Sequence, residues 1–128
     1  MKKLFLSTAI ALGLAGAALA DPAEGTWKTE ADDGAYAHVD LSMCGAAVCG
    51  VIARTFNTDG EYASPNIGKT LVIDMVPAGD GSYAGKVWRP SNDKIYIGKM
   101  DLNGNSLALR GCVAGGLICS KQTWSRVN

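Results

Sequence analysis

The chain has 128 residues, 48% of them hydrophobic, with 12 basic and 12 acidic side chains and a single histidine. That length carries one domain. There is no basic cluster to grip nucleic acid or an anionic membrane, and the charges are spread singly, as on solvated strand faces.

Residues 1–20 read as a cleavable signal peptide. Lys2 and Lys3 precede an uncharged apolar run, Leu4 to Ala20, that ends in Ala18-Leu19-Ala20, the small-x-small pattern cut by a signal peptidase. A transmembrane anchor is the competing reading, but the run is slightly short for a span. No Cys follows the cut, which argues against a lipoprotein. Cleavage after Ala20 leaves residues 21–128 as one β-barrel domain in the periplasm, with 10 basic and 12 acidic side chains and no remaining membrane span.

Along that domain, turn signals recur every ten or so residues: Asp32-Asp33-Gly34, Asp59-Gly60, Asp80-Gly81, Ser91-Asn92-Asp93 and Asn103-Gly104. The segments between them alternate or are rich in β-branched and aromatic residues, the pattern of an all-β meander. Eight strands are expected, over 25–30, 36–44, 48–56, 69–76, 82–88, 94–102, 105–113 and 117–127. The longest gap, Asn57 to Gly68, is expected to be a mobile loop. Asn103-Gly104 suits a two-residue type I′ hairpin turn. That register sets Met100 opposite Leu107 and Gly98 opposite Leu109. It turns these residues and Tyr96 inward, and Lys99, Ile97 and Arg110 outward.

The four cysteines, Cys44, Cys49, Cys112 and Cys119, form an even set in an exported chain and point to two disulfides. A zinc site is the rival, but C-x4-C and C-x6-C are looser than a zinc knuckle, and no CxxC redox pair is present. Bonds Cys44–Cys49 and Cys112–Cys119 give each hairpin a sensible polar exterior. On those hairpins Val39, Leu41, Met43, Ile52 and Arg54 then face inward, as do Ile118, Ser120, Gln122, Trp124 and Arg126. Leu71, Ile73 and Met75 complete the inward set from the next strand.

An inward arginine needs partners. Trp27 on the first strand and backbone carbonyls at the barrel end would supply them once the first and last strands pair. Gly25 and Trp27 at one terminus, with Trp124 and Arg126 at the other, are therefore expected to be structural. Gly25-x-Trp27 and Arg126 resemble the signature of the calycin superfamily, the lipocalin-like barrels. More closely, "GTW", "MCGAAVCGVI", "YAGKVWRPSNDKIYIGKMDL", "LALRGCV" and "WSRV" resemble the DUF2147 family of exported bacterial proteins over Gly25 to Val127. The resemblance implies an eight-stranded antiparallel up-and-down barrel, lipocalin-like, with a small-molecule site. The loop around Asn57 to Lys69 departs from that family's pattern.

No catalytic constellation emerges, so an enzyme is not expected. His38 stands alone and faces solvent, HExxH and DxDxDG motifs are missing, and Asp32-Asp33 reads as a turn former. No metal or other cofactor is expected. The candidate ligand-binding residues are Arg54, Tyr83, Trp88, Arg89, Tyr96, Met100 and Leu109: apolar lumen positions with cations and aromatics near an open end. The expected partner is a small, partly apolar ligand, held by burial with a cation on its anionic head. The alternative is a protein-interaction module, such as an inhibitor of an envelope hydrolase, presenting Trp88, Arg89 and the loop before Gly68.

Overall fold

The computed structural model describes residues 20–128; the expected signal peptide up to residue 19 lies outside the described residues. Nine strands follow one another: β1 (Gly25–Lys28), β2 (Tyr36–Cys44), β3 (Ala47–Asn57), β4 (Gly60–Tyr62), β5 (Thr70–Pro77), β6 (Ser82–Arg89), β7 (Lys94–Asn103), β8 (Ser106–Val113) and β9 (Ile118–Arg126). All pairings are antiparallel. The order β2-β1-β9-β8-β7-β6-β5-β3, closed by β2 against β3, makes an eight-stranded ring. Closure leaves no long sheet edge in need of a partner. The expected loop instead contains β4, which pairs only with β3 and forms a flap outside the ring. Among the described residues no helix is long and apolar enough to cross a membrane.

One end of the barrel is sealed where the first and last strands meet. Trp27 lies opposite Arg126 in the β1–β9 ladder, and the guanidinium carbon sits 4.4 Å from the indole centroid. Arg126 donates to the carbonyls of Glu24 and Pro22, both at 2.8 Å, and to Asn105 Oδ1 at 3.1 Å. Trp27 is fully buried and donates its indole N–H to the Ala23 carbonyl at 2.9 Å. Gly25 is constrained twice. Its φ is +136°, and a Cβ there would stand 2.5 Å from the Asn128 carbonyl and 2.8 Å from Arg126 Nη1. Only glycine accepts both conditions. Above this seal, Val39, Val48, Val72, Met75, Met100 and Leu107 are completely buried and fill the lower half of the barrel.

Strict alternation fails at three bulges, and each failure moves a side chain. His38 pairs with Arg54 but Val39 pairs with Ile52, so Ala53 is the extra residue. A bulge shifts the pleat by one residue. Arg54, expected inside, therefore points outward, and Thr55, opposite Ala37, takes the inner position with only 6% exposure. On β5 the register slips at Leu71 and again at Asp74, which has φ +47°. Leu71 and Val72 both enter the core, whereas Ile73, expected inside, sits opposite Lys86 and is not part of it.

The β7–β8 turn also differs from the expected one. Asn103 pairs with Ser106, so Gly104-Asn105 is the two-residue loop, with positive φ at Gly104 alone. Glycine is the residue most at ease there, ahead of Asn103. Partners shift by two, with Met100 opposite Leu109 and Gly98 opposite Gly111. An even shift leaves every face as expected.

Cys44 is bonded to Cys49 and Cys112 to Cys119, each across one hairpin. Cys112 belongs to the outer face but is only 2% exposed. The Ala114–Gly116 3-10 turn folds back on that side, with Lys99 Nζ donating to the Gly116 carbonyl at 3.5 Å.

Candidate ligand-binding site

The half of the barrel away from the seal is open. A cavity of about 680 Å³ lies between the ends of β1, β3, β6 and β8 and the starts of β2, β5, β7 and β9. That volume falls in the range of small-molecule sites. Ile52, Leu71, Val87 and Leu109 form apolar walls, with Trp124 at the base. Gly111 creates room between them. A Cβ there would meet Val87 Cγ1 and Tyr96 Cβ only at ordinary contact, 3.4 and 3.5 Å. Gly98, its partner across the β7–β8 ladder, has no such space: its Cβ would stand 2.5 Å from Met75 Cε. The open chamber therefore reaches Gly111, whereas Met75 fills the space at Gly98.

The polar groups have defined partners. Thr55 Oγ1 donates to the Tyr62 carbonyl at 2.6 Å and accepts the Ser64 amide at 3.3 Å, which ties the β4 flap to the cavity wall. The Trp124 indole donates to Gln122 Oε1 at 2.8 Å. Across the mouth, Arg89 makes a two-pronged pair with Asp32, Nε to Oδ2 and Nη2 to Oδ1, both at 2.9 Å. Ser91 Oγ adds a third bond to Asp32 at 3.0 Å. The bonded guanidinium holds the Asp32 carboxyl below the usual carboxylate range despite partial burial, and the carboxylate raises Arg89 in turn.

The seven candidate residues do not form one site. Trp88, Arg89, Tyr96 and Leu109 all line the cavity. Trp88 is half-buried, donating its indole N–H to Asp93 at 2.9 Å, with Lys69 5.5 Å from its ring centroid. The Tyr96 hydroxyl accepts from Asn92 at 2.7 Å. Arg54 is on the outside, paired with Glu61 and resting over Phe56, because of the Ala53 bulge. Met100 is in the filled half, with no exposed surface. Tyr83 is at the seal, where its hydroxyl donates to Asp21 Oδ1 at 2.6 Å. Burial first, and that bond second, push its phenol well above the ordinary range. Thr55 and Asp32 are cavity residues that the sequence reading missed. The bulge hides Thr55, and the Asp32-Asp33-Gly34 sequence signals a turn and nothing more.

Fold and cavity together define a small lipocalin-like barrel, sealed at one pole by the joined first and last strands and open at the other. The chain belongs to the DUF2147 family, described as an uncharacterized protein conserved in bacteria, whose pattern matches residues 25–126. Among solved structures it is similar to protein HP1028 from the human pathogen Helicobacter pylori, which belongs to the lipocalin family. The TM-score is 0.66 and the identity 19%, over 82% of each chain. No curated protein matches the sequence. Two disulfides and a bacterial family point to a location outside the cytoplasm.

Proposed function

We propose that this protein is a periplasmic carrier that sequesters a small, partly apolar molecule with an anionic head group in the open half of its barrel. The observation that carries this reading is an apolar chamber of about 680 Å³ with a single arginine fork at its mouth. Asp32 already occupies that fork in the geometry a carboxylate or similar anion would use. Ligand entry exchanges one anion for another, so the head group selects orientation more than affinity. The affinity comes from the walls: about 200 Å² of apolar surface removed from water contributes ~5 kcal/mol before ordering costs.

Export through a cut after Ala20 is part of the proposal. Ala20 is exposed, whereas Asp21 is locked by Tyr83 and by the Ala23 amide, so a cut between them spares the seal. The interaction-module reading has less support, because Trp88 and Arg89 are held by Asp93 and Asp32 and do not project. The test is native mass spectrometry of protein exported in a bacterial host, followed by titration with the anionic apolar dye anilinonaphthalene sulfonate. A bound small molecule released on unfolding, and dye fluorescence lost in Leu109→Arg, are expected. A bare mass together with no dye response would overturn the proposal.

A further inference from the structure

Charge is divided unevenly between the two halves of the chain. Residues 21–80 hold ten acidic and three basic side chains, a net of −7, and residues 81–128 hold two acidic and seven basic, a net of +5. In a meander that closes on itself, the two halves of the chain are opposite walls of the barrel. The wall made by β1, β2, β3 and β5 is therefore acidic, and the wall made by β6 to β9 is basic.

The register concentrates the positive charge further. Lys99 on β7 lies directly opposite Arg110 on β8, which lies directly opposite Lys121 on β9. All three face outward, because their neighbours Met100, Leu109 and Gly98 face in. Adjacent strands are ~4.8 Å apart, so three cations stand within about 10 Å. Among the described residues only one carboxylate, Asp101, pairs with them, bonded to Arg110. Like charges directly opposite on a sheet oppose folding, so the fold gains nothing from this row. The row toward the open end holds Lys86 opposite Ile97. Large apolar side chains stand exposed beside the cations: Leu117 at 87%, Ile95 at 61% and Ile97 at 42%. Cations beside exposed leucine and isoleucine are the composition of a surface that meets anionic lipid. The linear sequence conceals it. Lys99, Arg110 and Lys121 are eleven residues apart, and only antiparallel folding brings them level.

We infer that the β6–β9 wall docks on an anionic lipid bilayer, with Lys86, Lys99 and Lys121 at the head groups and Leu117 entering between them. This reverses the expectation that an anionic membrane is a poor partner. Ile118, at the start of β9, also lines the cavity, so docking sets the mouth beside the lipid. The inference does not depend on what the cavity holds.

The test is vesicle flotation of the full chain, expressed with its own N-terminal segment and purified as the soluble product. The wild-type protein is expected to float with vesicles of phosphatidylglycerol and phosphatidylcholine at low salt, to stay behind with phosphatidylcholine alone, and to be released by high salt. Each cation near an anionic surface is worth about fivefold in binding, so Lys99→Glu with Lys121→Glu should weaken it by at least about 25-fold. The same double variant should melt no lower than wild type, since it relieves a row of like charges; that separates a docking role from a structural one. Leu117→Ser should reduce flotation without altering the fold. Any contribution from the N-terminal segment is common to all variants. No flotation with anionic vesicles, or flotation unchanged in the double variant, overturns the inference. So does binding to soluble polyglutamate without flotation, which would mark the wall as a site for an acidic protein.

Discussion

Replacing Arg126 by alanine strips the barrel's closing seam of its main reinforcement. The β1–β9 ladder holds only two residue pairs, Trp27 with Arg126 and Lys28 with Ser125. Three flanking bonds extend it: Thr26 N–H to the Asn128 carbonyl at 2.9 Å, and Val127 N–H at 2.7 Å and Asn128 N–H at 3.3 Å to the Thr26 carbonyl. Neither disulfide crosses it, since both lie within hairpins. The alanine loses the stacking over Trp27, worth about 1 kcal/mol in a partly exposed setting. It also loses two charge-assisted bonds to the Glu24 and Pro22 carbonyls, about 1 kcal/mol each once water can replace the guanidinium. The expected destabilisation is about 3 kcal/mol. For a domain of this size that is a fall in Tm of roughly 15 °C. Thermal unfolding followed by near-ultraviolet circular dichroism measures it, and hydrogen exchange at the Thr26 and Val127 amides locates it at the seam. Arg126→Lys keeps the charge without the fork and should recover about a third of the loss. A Tm within about 3 °C of wild type, with protection at both amides unchanged, would show that the seam holds without the guanidinium.

Three further outcomes follow from the geometry. Gly98→Ala should cost about 1–3 kcal/mol in a urea melt, because its methyl meets Met75 and the Lys86 backbone, whereas Gly111→Ala should leave the midpoint the same or slightly higher. Gly111→Val should go further and suppress anilinonaphthalene sulfonate binding while the protein stays folded. Deleting Ala53 restores strict alternation on β3, drives Arg54 into the apolar lumen and expels Thr55; calorimetry should find a severely destabilised or unfolded chain. The Asp32–Arg89 clasp should be pH-dependent in one direction. A carboxyl held low in the folded state adds stability above its unfolded value, near pH 4, and loses it as pH falls through the lower folded value. Melting curves of wild type and Asp32→Asn should therefore differ at neutral pH and converge in acid; a constant gap down to about pH 2 would contradict the clasp.

How much of this was legible in the sequence depended on whether a feature obeyed the two-residue period. On β7, β8 and β9, Met100, Leu107, Leu109 and Trp124 alternate without interruption, and their inward orientation followed even though the turn was misplaced by one residue. The meeting of Trp27 with Arg126 was legible because an arginine on an inner face has few partners to choose from. The β3 and β5 positions were not, because a bulge carries no compositional mark of its own. Nothing in "VIARTF" distinguishes Ala53 from an ordinary strand residue. In "LVIDMV", simple alternation accounted for Asp74 just as well, so Val72 and Ile73 exchanged faces unnoticed. The candidate site suffered for that reason at Arg54. At Tyr83 and Met100 the direction was right but the height along the barrel axis was not, since alternation says which way a side chain points and not which pole it lies near. The basic row needed the complete register of three strands, which no local pattern contains.

The pairing of the first strand with the last also fixes how the molecule can be held. Asp21 and Asn128 both lie at the pole opposite the mouth, so a tether attached beside either leaves the cavity entrance facing away from its point of attachment. A fluorophore or surface linker fused there should therefore report on ligand entry without standing in its way. The same label placed in the turn between β6 and β7 would sit on the doorstep.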